Sequence, residues 1–360
     1  MQDYFFLSRV LLKFKKENDD LLSDISAVSL TPDGNLWVGS DELLTLERLS
    51  PIGHNMYGKQ TSFPLKNYLD LFDQKDEIDI EGMDYSDGYL WFTGSHSSKR
   101  KKPKGKKTAK DLDRLATIKY DSNRFLLGRV PVIKGELVKN YNPSEERDRP
   151  LSAASLEKHE KFGNILMAEL RKDRHLSSFM KAEIPSKDNG LDIEGIVVRG
   201  NRIFLGLRGP VLRGWAIIIE IEVTEKKPGV LTLKKIGSEG KKYRKHFCDL
   251  NGLGIRELCF YGDDLIILAG PTMSLEGAME VFVWQDVLSV DEATINSQEG
   301  DYLKAIFNLP FTLGSDHAEG LTLYPCLGQE NALLVVYDSP DKRRRPSKTE
   351  IFADVFSLQI

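Results

Sequence analysis

The chain has 360 residues, of which 41% are hydrophobic and 29% charged, a balance that excludes disordered and collagen-like classes. Lys and Arg total 50 and Asp and Glu 54, a net charge of −4, so the basic excess of a nucleic-acid binder is missing and no nucleic-acid partner is expected. Three cysteines (Cys248, Cys259, Cys326) without CxxC spacing exclude a disulfide framework and a structural zinc site, and point to a reducing, cytoplasmic compartment; a secreted protein with its leader removed is the alternative.

Residues 4–14 are apolar but interrupted by Arg9 and Lys13, so they read as a strand and not as a leader. Five segments then share one plan: Asp24-Ile25-Ser26-Ala27-Val28, Asp79-Ile80-Glu81-Gly82-Met83, Asp192-Ile193-Glu194-Gly195-Ile196, Gly254-Ile255-Arg256-Glu257-Leu258 and His317-Ala318-Glu319-Gly320-Leu321. Each is followed by a polar turn, such as Asp33-Gly34-Asn35 or Asp87-Gly88, and then by an apolar strand, such as Leu36-Trp37-Val38 or Leu90-Trp91-Phe92. Asp-Gly and Gly-Asn between β-rich runs signal hairpins. Residues 68–72 predict a short helix between the first two units. Further strands are predicted over 116–120 and 125–130 in the second unit, 216–223 and 230–236 in the third, 279–284 and 303–307 in the fourth, and 351–358 in the last. The last unit is one strand short, and residues 9–15 can supply it.

This pattern predicts an all-β fold: a β-propeller of four-stranded blades, closed by pairing the chain ends, in a single domain over residues 1–360. Ser26 to Glu81 is 55 residues, Glu194 to Arg256 is 62 and Arg256 to Glu319 is 63. Glu81 to Glu194 is 113, so a sixth blade or an insertion lies between them. Five blades with a helical insertion over 140–189 is the favoured reading. Phe162, Leu166 and Leu170 at i+4 spacing predict a helix over 156–180. No stretch is long and apolar enough to span a membrane, since Glu220 and Glu222 break the run 215–223.

In such a topology the segment starts line one mouth of a central channel. Ser26, Glu81, Glu194, Arg256 and Glu319 form a ring there, with Glu257 next to Arg256 and with Asp79, Asp192 and His317 beside it. The second strands deliver Ser95, His96, Arg208 and Asp338 to the same mouth. Carboxylates about 5–6 Å apart repel by about 3 kcal/mol per pair at an effective dielectric near 20. A bound cation, protonation, or pairing with Arg208 and Arg256 must offset that. Oxygen ligands suit Ca²⁺ or Mg²⁺, which are the cofactors expected. Basic segments at 99–110 and 341–345, with Arg213, give the acidic well a basic rim suited to a small anionic ligand such as a phosphate ester. Arg208, Arg213 and Arg256 are the anion-binding candidates. His317 and His96 are the proton-transfer candidates, and Trp37, Trp91 and Phe204 read as core. No P-loop, GxGxxG or GxSxG is found.

The strand starts Asp79-Ile80-Glu81-Gly82, Asp192-Ile193-Glu194-Gly195 and His317-Ala318-Glu319-Gly320, with Leu205-Gly206-Leu207-Arg208-Gly209-Pro210, resemble a bacterial domain of unknown function that is considered propeller-like. More distantly, the Glu-Gly starts are similar to phytase-like, esterase-like propellers that hold Ca²⁺ through channel-mouth carboxylates. That similarity implies Glu81, Glu194 and Glu319 as ion ligands, with Asp79 and Asp192 in support. Ser26-Ala27 and Arg256-Glu257 depart from the pattern, which implies one ion or none and not a multi-calcium centre. The expectation is therefore a divalent-cation-binding propeller that hydrolyses an anionic ester. The alternatives are a non-catalytic scaffold with a protein partner on its top face, and a lactonase-like metal propeller.

Overall fold

Short apolar runs and tight polar turns make the first strands into hairpins, and the hairpins neighbour one another in a ring. In a computed structural model, which describes residues 5–16, 19–73, 76–143 and 150–358, the strand Ile25–Leu30 pairs with Leu36–Ser40, Ile80–Ser86 with Tyr89–Gly94, Asp192–Arg199 with Arg202–Leu212, Gly254–Tyr261 with Asp264–Gly270, and His317–Cys326 with Gln329–Asp338. All are antiparallel. The first strand of each hairpin packs on the first strand of the next, and His317–Cys326 packs back on Ile25–Leu30.

Two or more strands extend most of these hairpins outward. Thr45–Gly53 and Met56–Pro64 extend the first, Leu127–Ile133 and Ala154–Leu156 the second, and Glu280–Trp284 and Leu303–Asn308 the fourth. In the third, Trp215–Lys227 is long enough to pair with two strands, Val230–Leu233 at one end and Arg244–Asp249 at the other. In the last, Glu350–Phe356 follows from the C-terminal part of the chain and Phe6–Lys13 from the N-terminal part, paired antiparallel with Leu12 opposite Ile351. The expected closure by the two chain ends is thus observed, and it leaves that sheet without an open outer edge.

The apolar side chains are buried in layers between neighbouring units. Ala27, Trp37 and Leu46 meet Ile80, Leu90 and Phe92; Trp91 and Leu127 meet Ile193, Leu205 and Ile219; Phe204 and Ile218 meet Ile255, Leu265 and Ile267. Val10 and Leu12 meet Ile25, Val28 and Leu334. The fold is all-β and propeller-like. Trp37, Trp91 and Phe204 lie in these layers, as the sequence predicts.

Three local expectations are corrected. Residues 68–72 hold no helix; a 3₁₀ turn, Leu65–Asn67, stands just before them. Residues 116–120 are no part of the sheet, because Ile118–Lys119 pairs only with Lys99–Arg100, and Leu127–Ile133 takes the third place. The helix over 156–180 is two short helices, Ile165–Leu170 and Ser177–Lys181. Gly163 at φ +78° and the Asn164 side chain, which accepts from Met167 N, start the first one late. Asp173 then interrupts the run by accepting from the amides of His175 and Leu176. Of the region 140–189, residues 144–149 lie outside the described residues; the remainder contains the strand Ala154–Leu156 as well as helix. Both helices drive Leu166, Leu170, Leu176 and Met180 into the layer between the second and third units. Among the described residues no helix is long and apolar enough to cross a membrane.

If the pairing of the chain ends holds the ring shut, truncating a buried side chain at the seam will cost as much as a cut in any other layer. Leu12→Ala, at a fully buried position, is expected to lower stability by about 3 kcal/mol in denaturant unfolding, as is Leu334→Ala in the same layer. A loss below about 1 kcal/mol for Leu12→Ala alone would mean that the N-terminal strand is dispensable.

Candidate binding site at the channel mouth

One irregularity recurs in every inner hairpin. The register slips between Ile25 and Ala27, Ile80 and Gly82, Ile193 and Gly195, Ile255 and Glu257, and Ala318 and Gly320. The residue skipped in each is Ser26, Glu81, Glu194, Arg256 or Glu319. Each of the five ring residues read from the sequence is therefore a β-bulge, which frees it from cross-strand pairing and re-aims its side chain. The residue after the bulge must be small where the next inner strand comes close. A Cβ on Gly82 would lie 2.5 Å from the Glu194 carbonyl oxygen, one on Gly195 3.0 Å from Leu258 N, and one on Gly320 3.0 Å from Val28 N. The Glu-Gly pair thus has two physical causes: the bulge frees the acid, and the missing Cβ lets neighbouring strands touch.

The acids so aimed are tied together by buried arginines. Arg208 reaches Asp192 at 2.8 Å and Glu194 at 2.5 Å. Arg256 reaches Glu194 at 2.7 Å and Glu319 at 3.3 Å. Acids and arginines therefore alternate along Asp192, Arg208, Glu194, Arg256 and Glu319. A second cluster surrounds Arg124, from the 3₁₀ turn Ser122–Phe125. Arg124 pairs with Asp79 at 2.5 Å and Glu77 at 3.5 Å, and donates to the hydroxyls of Ser95 and Ser97, each at 3.0 Å. In the first unit the small Ser26 takes the ring position and donates to the Ile80 carbonyl oxygen.

Between these clusters lies a cavity of about 120 Å³ lined by eight carboxylic acids (Asp41, Glu42, Asp79, Glu81, Asp192, Glu194, Glu319, Asp338) and four cations (Lys99, Arg124, Lys187, Arg208). The surplus of acid is visible in the titration of its members. Burial, reinforced by Asp79, Glu194 and Glu319, holds the Glu81 carboxyl well above the usual range. Burial does the same to Asp41, with Asp79 and Glu319 adding to it. Burial and Asp338 push Glu319 up to about 8 despite Arg256. Asp192 rises to about 6 by burial, with Arg208 opposing the shift. Asp79 is also raised by burial, against Arg124, and a hydrogen bond links it to Glu81. Burial and neighbouring acids therefore favour the protonated forms of Asp41 and Glu81, and Glu319, near 8, keeps its proton at neutral pH.

The remaining predicted residues are placed as follows. His317 lies at the edge, with Nδ1 3.7 Å from Asp338 and Nε2 3.5 Å from Glu276, and the Asp338 hydrogen bond raises its pKa. Asp338 is held low by hydrogen bonds from His317 and Ser339 in spite of its burial. His96 is not in the mouth. Its ring is buried, burial lowers its pKa to about 4, Nδ1 donates to the Gly94 carbonyl oxygen and Nε2 accepts from Asn164, so it acts as a fixed neutral strut. Glu257 is turned away from the cavity and accepts from the amides of Ile196 and Leu258, a structural use of a buried acid. Arg213 is exposed in the hairpin turn that follows Leu212. Arg344, in the second basic segment, is buried on Tyr337 and paired with Asp316 and Asp354, so it is no part of a rim. In the first, Lys99 pairs with Glu77 and Arg100 with Asp188, and the rest leads into the exposed helix Thr108–Ala116. Sequence reasoning missed Arg124 and Lys187; both sit in short turns with no repeat signature.

A model of one family matches residues 24–354. The chain belongs to the family described as "Protein of unknown function (DUF3616)". No curated protein matches this DUF3616 chain by sequence. Among solved structures it is similar to virginiamycin B lyase from Staphylococcus aureus, with 13% identity, 92% of this chain and 68% of that chain covered, and a TM-score of 0.33. It is likewise similar to Myxococcus xanthus glutaminyl cyclase, with 8% identity, 98% and 99% covered and a TM-score of 0.40. A third is the PQQ-bound aldose sugar dehydrogenase from Streptomyces coelicolor, with 10% identity, 97% and 98% covered and a TM-score of 0.37.

The residues do not fit an ion shared by Glu81, Glu194 and Glu319, because guanidinium groups already occupy both carboxylate oxygens of Glu194. Among the described residues no three His, Cys, Asp or Glu side chains are grouped so as to hold a metal ion. Two outcomes follow for the mouth. Arg256→Gln leaves Glu319 without its arginine and Glu194 with Arg208 alone, and is expected to cost about 3 kcal/mol in denaturant unfolding, whereas a loss under about 1 kcal/mol would mean the charge chain is unimportant. Glu319 binds its proton more tightly folded than unfolded, so its contribution is full below about pH 4.5 and fades as pH rises through about 8. Unfolding midpoints measured from pH 5 to 9 should fall with rising pH (about 5 to 9 being the window set by that shift), and Glu319→Gln should flatten the slope. An equal slope in the variant would contradict the assignment.

Proposed function

We propose that this protein is a five-bladed propeller whose channel mouth binds the cationic end of a ligand, an ammonium or guanidinium group. The blade number rests on the hairpins that neighbour one another around the ring and on the apolar layers between them. The observation that carries the ligand reading is the surplus of acid at the cavity: eight carboxylic acids in the wall against Lys99, Arg124, Lys187 and Arg208, with Arg256 behind Glu194 and Glu319. The groups acting most strongly on Glu81 are themselves carboxylates, Asp79, Glu194, Glu319 and Asp192. An entering cation replaces protons on Asp41, Glu81 and Glu319 and gains charge-assisted hydrogen bonds from an enclosed site.

Other readings have less support. An anionic ester needs a free guanidinium, and Arg208 and Arg256 each already face two carboxylates. A divalent ion answers the same surplus of charge, but the acids are spread around arginines and not gathered into a cage. It is the second reading and an arm of the test. Hydrolysis in this reading has no residue assigned to it.

Thermal unfolding at constant ionic strength separates these. Ethylammonium and guanidinium are expected to raise the melting temperature relative to Na⁺, with the rise lost in Glu81→Gln and reduced below pH 6, about where protons compete best with the cation. A rise specific to Ca²⁺ or Mg²⁺ and lost in the same variant would move the site to a metal ion. No rise with any of these cations would overturn both.

A further inference from the structure

The second unit and the region after it enclose a larger cavity, about 430 Å³, outside the channel mouth. That volume lies in the range of small-molecule sites. Its walls carry the rings of Phe72, Tyr120, Phe125, Phe162 and Phe179, together with the thioethers of Met167 and Met180. We infer that this cavity is a binding site for a neutral, planar aromatic small molecule.

The lining supports each word of that assignment. Aromatic rings and methionine sulfurs favour π-faces over saturated hydrocarbon of equal area, by about 0.5–1.5 kcal/mol per well-placed pair. Phe162 already shows how its faces are used: His159 stacks on it at 5.0 Å and the Arg171 guanidinium lies 4.6 Å from its centroid. The charged residues of the wall cancel, Lys161 and Arg171 against Glu160 and Glu183. Two of them are further engaged: Arg171 donates to the Met180 carbonyl oxygen at 2.9 Å, and Glu183 accepts from the Tyr120 hydroxyl at 2.9 Å. His96 in the wall is neutral and has both ring nitrogens bonded. Nothing in the wall calls for a charged ligand.

The cavity also shares its walls with the mouth. Along residues 95–98, the Ser95 and Ser97 hydroxyls bind Arg124, which lines the mouth, while His96, Ser97 and Ser98 line the aromatic cavity. Along residues 184–192, Ile184 and Leu191 face the aromatic cavity while Ser186, Lys187 and Asp192 face the mouth. Ser98 O accepts from Ser186 N and joins the two walls. The site is nonetheless independent of the cation reading, since none of the acids in the mouth lines it.

The test uses the full chain with 2-naphthol and its saturated counterpart 2-decalol, which has the same skeleton without the flat rings. Saturable binding of 2-naphthol by calorimetry is expected, about ten-fold tighter than 2-decalol. Phe179→Ala, at a wall ring, is expected to weaken it by about ten-fold. Ser122→Trp, at an exposed lip position that leaves the core untouched, is expected to block it while the melting temperature holds. Glu81→Gln is expected to leave it unchanged, so failure here is distinguishable from failure of the cation site. Equal binding of the two probes, no saturation, or undiminished binding in Ser122→Trp would overturn the proposal.

Discussion

The mouth of this protein depends on one alternation of acids and arginines, Asp192, Arg208, Glu194, Arg256 and Glu319, closed by contacts of 2.5–3.3 Å. Asp192 and Glu194 stand on one strand, Arg208 on its hairpin partner, and Arg256 and Glu319 on the first strands of the next two hairpins. Burying that many carboxylates without counter-charges would cost several kcal/mol each. The arginines permit burial but do not complete neutralisation. Where Ser26 replaces a charged residue in the ring, the chain of pairs stops, and the acids on that side, Asp41 and Glu81, are left as the excess. The site is therefore asymmetric for a sequence reason: two of the five repeat positions are not Glu.

The backbone makes this arrangement possible. A regular hairpin would commit residues 26, 81, 194, 256 and 319 to cross-strand pairs, with their side chains in the layers between units. The bulge removes them from pairing and turns them inward. The glycines that follow bring adjacent inner strands within contact, which narrows the ring and draws the freed side chains together. The same closeness creates buried amides, and Glu257 and Asp84 answer them by accepting from Ile196, Leu258 and Val198. Acids in this protein thus serve two purposes that look alike in sequence. Some satisfy backbone donors, and others face the cavity.

How far the sequence can be read follows from that distinction. The hairpins were legible because Asp-Gly turns and apolar runs act locally, and the closure by the chain ends because one unit lacked a strand. The ring positions were legible because they recur in register. The helix over 156–180 was overread: i+4 spacing of Phe162, Leu166 and Leu170 is real, but Gly163 and Asp173 break the run through backbone and side-chain hydrogen bonds that spacing does not encode. Arg124 was illegible, since only the folding of a distant turn brings it to Asp79. For Arg208 the sequence leaves two uses open, a ligand anion and the ring carboxylates, and the fold favours the second by setting Asp192 and Glu194 beside it across a bulged hairpin.

The central claim is that the mouth holds carboxyl protons at neutral pH, ready to be exchanged for a cation. Infrared spectroscopy reads this directly, because the carbonyl stretch of a protonated carboxyl stands apart from the amide and carboxylate bands. At pH 7 the account predicts such a band, weakened in Glu81→Gln and again in Glu319→Gln. A wild-type protein with no protonated-carboxyl band at pH 7, or one that both variants leave intact, would contradict it.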